Sequence, residues 1–257
     1  MLRRVRSLRL LPLLFPLILL TGLPPAGATG PRELLVVGTV FPRIYEQDES
    51  GPAGLGVDLL RRAFARQGLR FEFYPWLRAQ AMVESGQADI LMGPYRTPER
   101  EQRFLFSPQA FYEDALVFYA RRERELPWRG ELAELAGLRI GLVQGWAYGE
   151  GVERERPRLR PGTVRDVATG LQMLRLDRLD LLASNERNTE PVLRQLGLAG
   201  ELRVLGPPLG QLRGHFAFTR NAQGQALREA LDQAMSEMRT RGELRELARR
   251  WNVRIPD

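Results

Sequence analysis

Residues Gly86 to Phe106 read GQADILMGPYRTPEREQRFLF, and Ser107 to Tyr112 continue SPQAFY. Gly86 closes a helical pattern over Trp76 to Ser85, as a glycine after the last turn does. Ala88 to Met92 is a short apolar run, which reads as a buried strand. Thr97-Pro98-Glu99-Arg100 then carries the marks of a helix start. Threonine is a good N-cap, proline is favoured at the first helical position, and Glu99 suits the positive end of the helix dipole. Arg100 falls in the first turn, where side chains lean back toward the N-terminus. It can therefore reach past the helix end into a cleft, beside backbone N–H groups without helical partners. There it can hold a carboxylate with two parallel hydrogen bonds. The competing reading is a surface arginine paired with Glu99 or Glu101.

Outward from this stretch, helix and strand patterns alternate. Glu33 to Thr39 (ELLVVGT) reads as a buried strand. Val57 to Gln67 has apolar residues at helical spacing and ends at Gly68. Leu69, Phe71 and Phe73 alternate with polar or mixed residues, as a strand does. This succession predicts an α/β layer on a mostly parallel sheet. A second unit of the same kind starts near Leu138, with a strand over Arg139 to Val143, a helix within Thr163 to Arg175 and a strand over Leu179 to Ala183. Arg121 to Gly130 and the Gly/Pro-rich Gly206 to Gly214 read as connections, the latter suited to a hinge. Two helical patterns, Ala222 to Arg239 and Gly242 to Trp251, close the chain.

The N-terminus carries Arg3, Arg4, Arg6 and Arg9, then the apolar run Leu10 to Leu20, then Ala26-Gly27-Ala28. That order predicts a signal peptide over 1–28, cleaved after Ala28. The run is about half the roughly 20 residues a membrane span needs. All 38 basic residues are arginine, and removing the four signal arginines leaves 34 against 31 acids, so the net charge of +7 falls to +3. Without a basic tail or a basic run interleaved with aromatics, nucleic-acid binding is not expected. There is no cysteine, so an exported chain must hold together through its core. That absence also argues against a lipoprotein anchor. No His/Cys metal spacing and no nucleotide fingerprint occurs, and no cofactor is expected. His215, the single histidine, reads as structural.

The stretch Gly86, Asp89, Thr97, Arg100, Phe106 and Ser107 resembles the bacterial extracellular solute-binding proteins of family 3, the periplasmic components of ABC transporters for polar amino acids and related solutes. Gly54-Leu55-Gly56-Val57-Asp58, Leu138 to Gly145, Arg178 to Glu186 and Met235 to Trp251 match further family features in order. The resemblance implies a type II periplasmic binding protein fold with two α/β lobes joined by two crossover strands. It places lobe 1 at 29–111 plus 214–257 and lobe 2 at 112–213. It implies a monomer in the periplasm that binds a small-molecule solute, serves a membrane permease and is not an enzyme. Its arginine at the position of Arg100 grips the solute's carboxylate.

Around Arg100, the expected ligand-binding set comprises Tyr95, Arg96, Arg78 and three aromatic walls, Phe41, Tyr45 and Trp76. Phe41 follows the first strand, where open α/β sheets bind ligands. For each aromatic the plain alternative is core packing. From lobe 2 come Gly145, Trp146 and Asn185. Asn185 falls where the resemblance implies an acid for the solute's ammonium, and an ammonium buried without a counter-charge is costly. A carboxylate without an amine is therefore an open alternative to an α-amino acid. Two other functions remain open at this stage. One is a cleft enzyme of the cyclohexadienyl-dehydratase type, with Glu186 as its acid. The other is a sensor for a membrane receptor.

Overall fold

The computed structural model describes residues 32–256. The expected signal peptide over 1–28 and its cleavage after Ala28 lie outside the described residues. The chain begins with strand β1 (Leu34–Gly38), the hairpin β2 (Glu46–Asp48) and β3 (Gly51–Ala53), and helix α1 (Leu55–Ala63). Strand β4 (Leu69–Phe73), helix α2 (Trp76–Glu84), strand β5 (Ile90–Leu91), helix α3 (Pro98–Arg103) and strand β6 (Leu105–Phe106) follow. Next come β7 (Tyr112–Arg121), β8 (Ile140–Val143), α4 (Gly149–Leu159), β9 (Gly162–Val164), α5 (Val167–Arg175), β10 (Leu181–Asn185), α6 (Glu186–Gln195) and β11 (Leu202–Gly214). The chain returns through β12 (Ala217–Phe218) and ends in α7 (Ala222–Thr240) and α8 (Glu243–Arg250).

Two five-stranded sheets result, ordered β4-β1-β5-β12-β6 and β11-β7-β10-β8-β9. In the first, β1 runs parallel to β4 and β5, and β12 alone runs against its neighbours. In the second, β8 runs parallel to β9 and β10, and β7 alone runs against its neighbours. Strand β1 is buried along its whole length because both faces are covered. Leu34 and Val36 pack with Leu59 of α1 and Leu231 and Leu244 of α7 and α8. Leu35 and Val37 face Ala79 and Val83 of α2. The second sheet repeats this arrangement. Phe118 and Leu142 pack with Val152 of α4, while Val117 and Leu182 pack with Leu171 of α5 and Leu193 of α6.

Two motifs of the sequence are structural ties. Asp58 accepts a hydrogen bond from Trp251 Nε1 at 2.8 Å and so joins α1 to the C-terminal end. The buried Asp89 accepts from Leu35 N at 2.8 Å and from Gln223 Nε2 at 3.0 Å.

The largest departure from the sequence reading is Gly206 to Gly214. The segment belongs to β11, paired antiparallel to β7 on both sides of an irregularity between Leu205 and Gly210. Pro207 and Pro208 lack the N–H that a ladder needs, and residues 206–209 bulge out of the pairing instead of connecting lobes. The passage between the sheets lies just beyond, where segments 107–112 and 214–217 run together. Ser107 N donates to Phe216 O at 2.8 Å and Phe111 N to Gly214 O at 2.9 Å. The rings of Phe111 and Phe216 stack at 4.1 Å. Tyr112 leaves no room for a side chain at position 214, where a Cβ would lie 1.8 Å from its ring. His215 is buried here, its Nδ1 2.9 Å from Ser107 O. That carbonyl is an acceptor, so Nδ1 carries the proton, and burial lowers the pKa of the imidazole below its usual value. No described helix is long and apolar enough to cross a membrane.

Candidate functional site

The edges of the two sheets meet at a cleft near the crossover. Thr97 caps α3 by accepting from Arg100 N at 3.2 Å. This sets the guanidinium of Arg100 back across the helix start, 6% exposed. Its Nη1 donates to Tyr95 O and its Nη2 to Gly145 O, both at 2.9 Å. The group sits over the Trp76 ring at 5.5 Å. Among the described residues no carboxylate pairs with it. Burial therefore lowers its pKa, although Arg100 stays a cation at any ordinary pH.

The carbonyl of Gly145 is a point of contact between the two sheets' layers. It accepts from Arg100 and also from Trp76 Nε1 at 2.9 Å. Gly145 sits at φ +72°, in the left-handed region, and a Cβ there would lie 2.7 Å from Leu77 Cδ2. Glycine permits both the turn and the close approach.

A second buried arginine lies behind the cleft in the other layer, over the Tyr112 ring at 4.9 Å, and borders neither of its cavities. Asn185 caps α6, its Oδ1 accepting from Asn188 N at 2.9 Å. Arg187, in the first turn, is 7% exposed. Its Nε and Nη2 donate to the two oxygens of Asp114 at 3.0 and 2.5 Å, and its Nη1 donates to Pro42 O at 2.8 Å. Burial would lower its pKa, but the Asp114 carboxylate beside it prevails and raises it. Tyr95 Oη donates to Asp114 Oδ2 at 2.6 Å and accepts from Asn185 Nδ2 at 3.1 Å. Burial and the nearby Asp114 push the Tyr95 phenol well up, so it remains neutral.

Phe41, Trp76, Gly93, Tyr95, Arg100, Tyr112, Trp146, Ala147 and Asn188 enclose a cavity of about 20 Å³. Phe41 and Trp76 meet edge to face at 5.4 Å. A wider mouth of about 460 Å³ shares Arg100, Trp146 and Ala147 with this cavity. Gln80, Arg96, Glu99, Glu150 and Glu153 are among its other walls.

The structure thus brings together Phe41, Trp76, Tyr95, Arg100, Gly145 and Trp146. Arg96 stands at the mouth, half exposed and paired with Glu101. Asn185 is buried beside Tyr95 but is occupied as a cap. Two expected residues lie elsewhere. Tyr45 is a core residue, fully buried, stacked on Phe73 at 4.2 Å and donating to Glu72 O at 2.9 Å. Arg78 is exposed and lies over the Tyr74 ring at 4.8 Å, bordering neither cavity. Glu186, the acid named for a dehydratase, is exposed and borders neither cavity.

Sequence reasoning missed Asp114, Arg187, Asn188, Tyr112 and Gln80. Arg187 left one signal. A cation in the first turn opposes the helix dipole, so it calls for a tertiary partner, as Arg100 does.

The chain belongs to the bacterial extracellular solute-binding proteins, family 3, whose profile matches residues 34–254. A solute-binding role follows from that membership. Among curated proteins none matches the chain. Solved structures share the fold. A histidine kinase sensor domain with similarity to periplasmic binding proteins superposes with a TM-score of 0.74 at 20% identity, over 88% of this chain and 99% of that one. EhuB in complex with hydroxyectoine gives 0.72 at 21% identity, over 86% and 88%. A mutant of ArgBP from T. maritima gives 0.70 at 18% identity, over 85% and 94%. These are type II periplasmic binding protein folds, as the family resemblance implies.

Proposed function

We propose that the protein captures a small carboxylate-bearing solute between a lobe at 29–111 plus 214–257 and a lobe at 112–213. In this reading it works in the periplasm as a monomer and passes the solute to the permease of an ABC transporter. The observation that carries the reading is the guanidinium of Arg100. It is buried, placed at the junction of the cavity and its mouth, and without a carboxylate partner among the described residues. A buried charge of this kind calls for a counter-charge, and a carboxylate matches guanidinium geometry. Glu186, the acid named for a dehydration, is exposed and borders neither cavity, which favours capture over turnover.

The enclosed space of about 20 Å³ is of the order one water requires. A solute of amino-acid size therefore needs the lobes to part and close again, a shift between two states that ligand contacts on both lobes would bias. Gly145 O, which accepts from Trp76 and Arg100, Pro42 O, which accepts from Arg187, and the Tyr95 hydroxyl, which bonds Asp114 and Asn185, are among the contacts that would break and re-form.

A thermal-shift screen over amino acids and small carboxylates tests the reading, because a ligand that binds only the folded state raises the melting temperature. A carboxylate should raise it in the native protein and not in Arg100→Ala. A shift that persists in that variant would contradict the site.

A further inference from the structure

The polar groups of the cleft have an uneven balance of donors and acceptors. Arg100 has five N–H donors. Two go to the carbonyls of Tyr95 and Gly145, and the rest have no protein acceptor among the described residues. Gln80 lies one turn after Trp76 on α2 and borders the mouth. It is 2% exposed, and its Nε2 has no partner. Buried polar groups in native proteins are almost always bonded, so both residues wait for an acceptor. The other buried side-chain polar atom without a partner among the described residues, Tyr119 Oη, borders neither cavity.

Among the described residues no carboxylate buried at the cleft is free to answer a cation. Both oxygens of Asp114 are held by Arg187, and one of them also by Tyr95. Asn185 has its oxygen on Asn188 N and its amide on Tyr95. At the mouth, Glu153 is bound by Arg156 through two contacts of 2.6 and 2.8 Å, while Glu99 and Glu150 are exposed. Asp114 and Arg187 cancel, so the deep site carries the single uncompensated charge of Arg100. The other walls include the aromatic Phe41, Trp76, Tyr112 and Trp146 and the uncharged Asn188. An α-ammonium is fixed one carbon from its carboxylate. It would enter this space together with the carboxylate and find no counter-charge there, which is costly.

We propose that the cleft selects monocarboxylates that lack an α-ammonium and carry an apolar or aromatic body. This rests on the reading of Arg100 as a carboxylate anchor and narrows its substrate class. The carboxylate takes the free N–H groups of Arg100 and Gln80, the charge of the site falls to zero, and the aromatic walls cover the body.

The test is calorimetry on the full-length exported chain with two matched pairs, 3-phenylpropanoate against L-phenylalanine and 4-methylpentanoate against L-leucine. In each pair the deaminated acid should bind about tenfold tighter or more, the size expected when an ammonium is buried unpaired. Gln80→Leu should weaken the acids by about three- to tenfold, the range of one hydrogen bond. Asn188→Asp, which adds a carboxylate to the cavity wall at unchanged shape, should shift the ratio toward the amino acids. Amino acids binding as tightly as their deaminated partners, or a ratio that Asn188→Asp leaves unchanged, would overturn the selection. If that binding still required Arg100, carboxylate capture would stand without it. If none of the four bound more tightly than about 1 mM, the proposed class would fall. Binding that ignored Arg100→Ala would overturn capture itself.

Discussion

Two buried arginines, Arg100 in the cavity wall and Arg187 behind it in the other layer, each stand in the first turn of a helix that a side-chain cap has just started. Arg187 on α6 is neutralised by Asp114 and held in a network with Tyr95 and Asn188. Arg100 on α3 has only carbonyl oxygens and the Trp76 face. Their local geometry is nearly the same, yet one arginine is complete within the protein and the other is not. Burial alone thus does not mark a binding residue. Under the proposed function, it is the unmet counter-charge that does.

The comparison breaks most visibly at Asp114. Asp114→Ala leaves Arg187 buried without its partner, and denaturant unfolding should show a loss of about 3–5 kcal/mol. Arg100→Ala removes an unpaired buried charge together with its two bonds to carbonyl oxygens, terms of opposite sign, and should cost clearly less than Asp114→Ala. Equal losses in the two variants would erase the distinction.

A smaller effect is expected at Gly145, whose carbonyl serves Arg100. Gly145→Ala places a side chain at φ +72° with its Cβ 2.7 Å from Leu77 Cδ2. The conformational cost is about 1–2 kcal/mol, and the Leu77 side chain, half exposed, can move aside. Thermal unfolding should register that cost, and solute affinity should fall because the acceptor for Arg100 shifts. Full affinity in this variant would show that the Gly145 carbonyl does not matter to the site.

The smallest effect concerns His215, beside the crossover. Its pKa is lowered by burial from an ordinary value of 6.5. Below that value the unfolded chain takes up a proton that the folded protein resists. Stability from this group is therefore present above about pH 6.5 and lost as pH falls toward the folded value. Melting temperatures between pH 8 and 5 should decline in the lower part of that range, and His215→Asn should flatten the decline. A decline of the same size in the variant would assign it to other groups.

Much of the fold could be read from local patterns. The apolar run of β1, the helix start at Thr97 and the glycine stop at Gly86 are each decided within a few neighbouring residues. The placement of Arg100 in a first turn was legible for the same reason, since cap and proline are contiguous with it, while its carboxylate role comes from the resemblance and is part of the proposed function. Arg187 was not, because its partner Asp114 is 73 positions away and pairs with it only once β7 and α6 are packed. Strand β11 was hidden by Gly206, Pro207 and Pro208, which look like a connection and instead bulge from a long ladder. Tyr45 and Phe41 are both aromatic and both follow β1. Only packing separates them, as Tyr45 turns under Phe73 and Phe41 meets Trp76.

The most direct test of the account is calorimetric titration of the native protein and Arg100→Ala with a carboxylate found by the thermal-shift screen. The account predicts a loss of about 2–5 kcal/mol in binding free energy, the cost of removing one partner from a buried charge pair, in a free protein that still unfolds cooperatively. Equal affinity in the two proteins would contradict it.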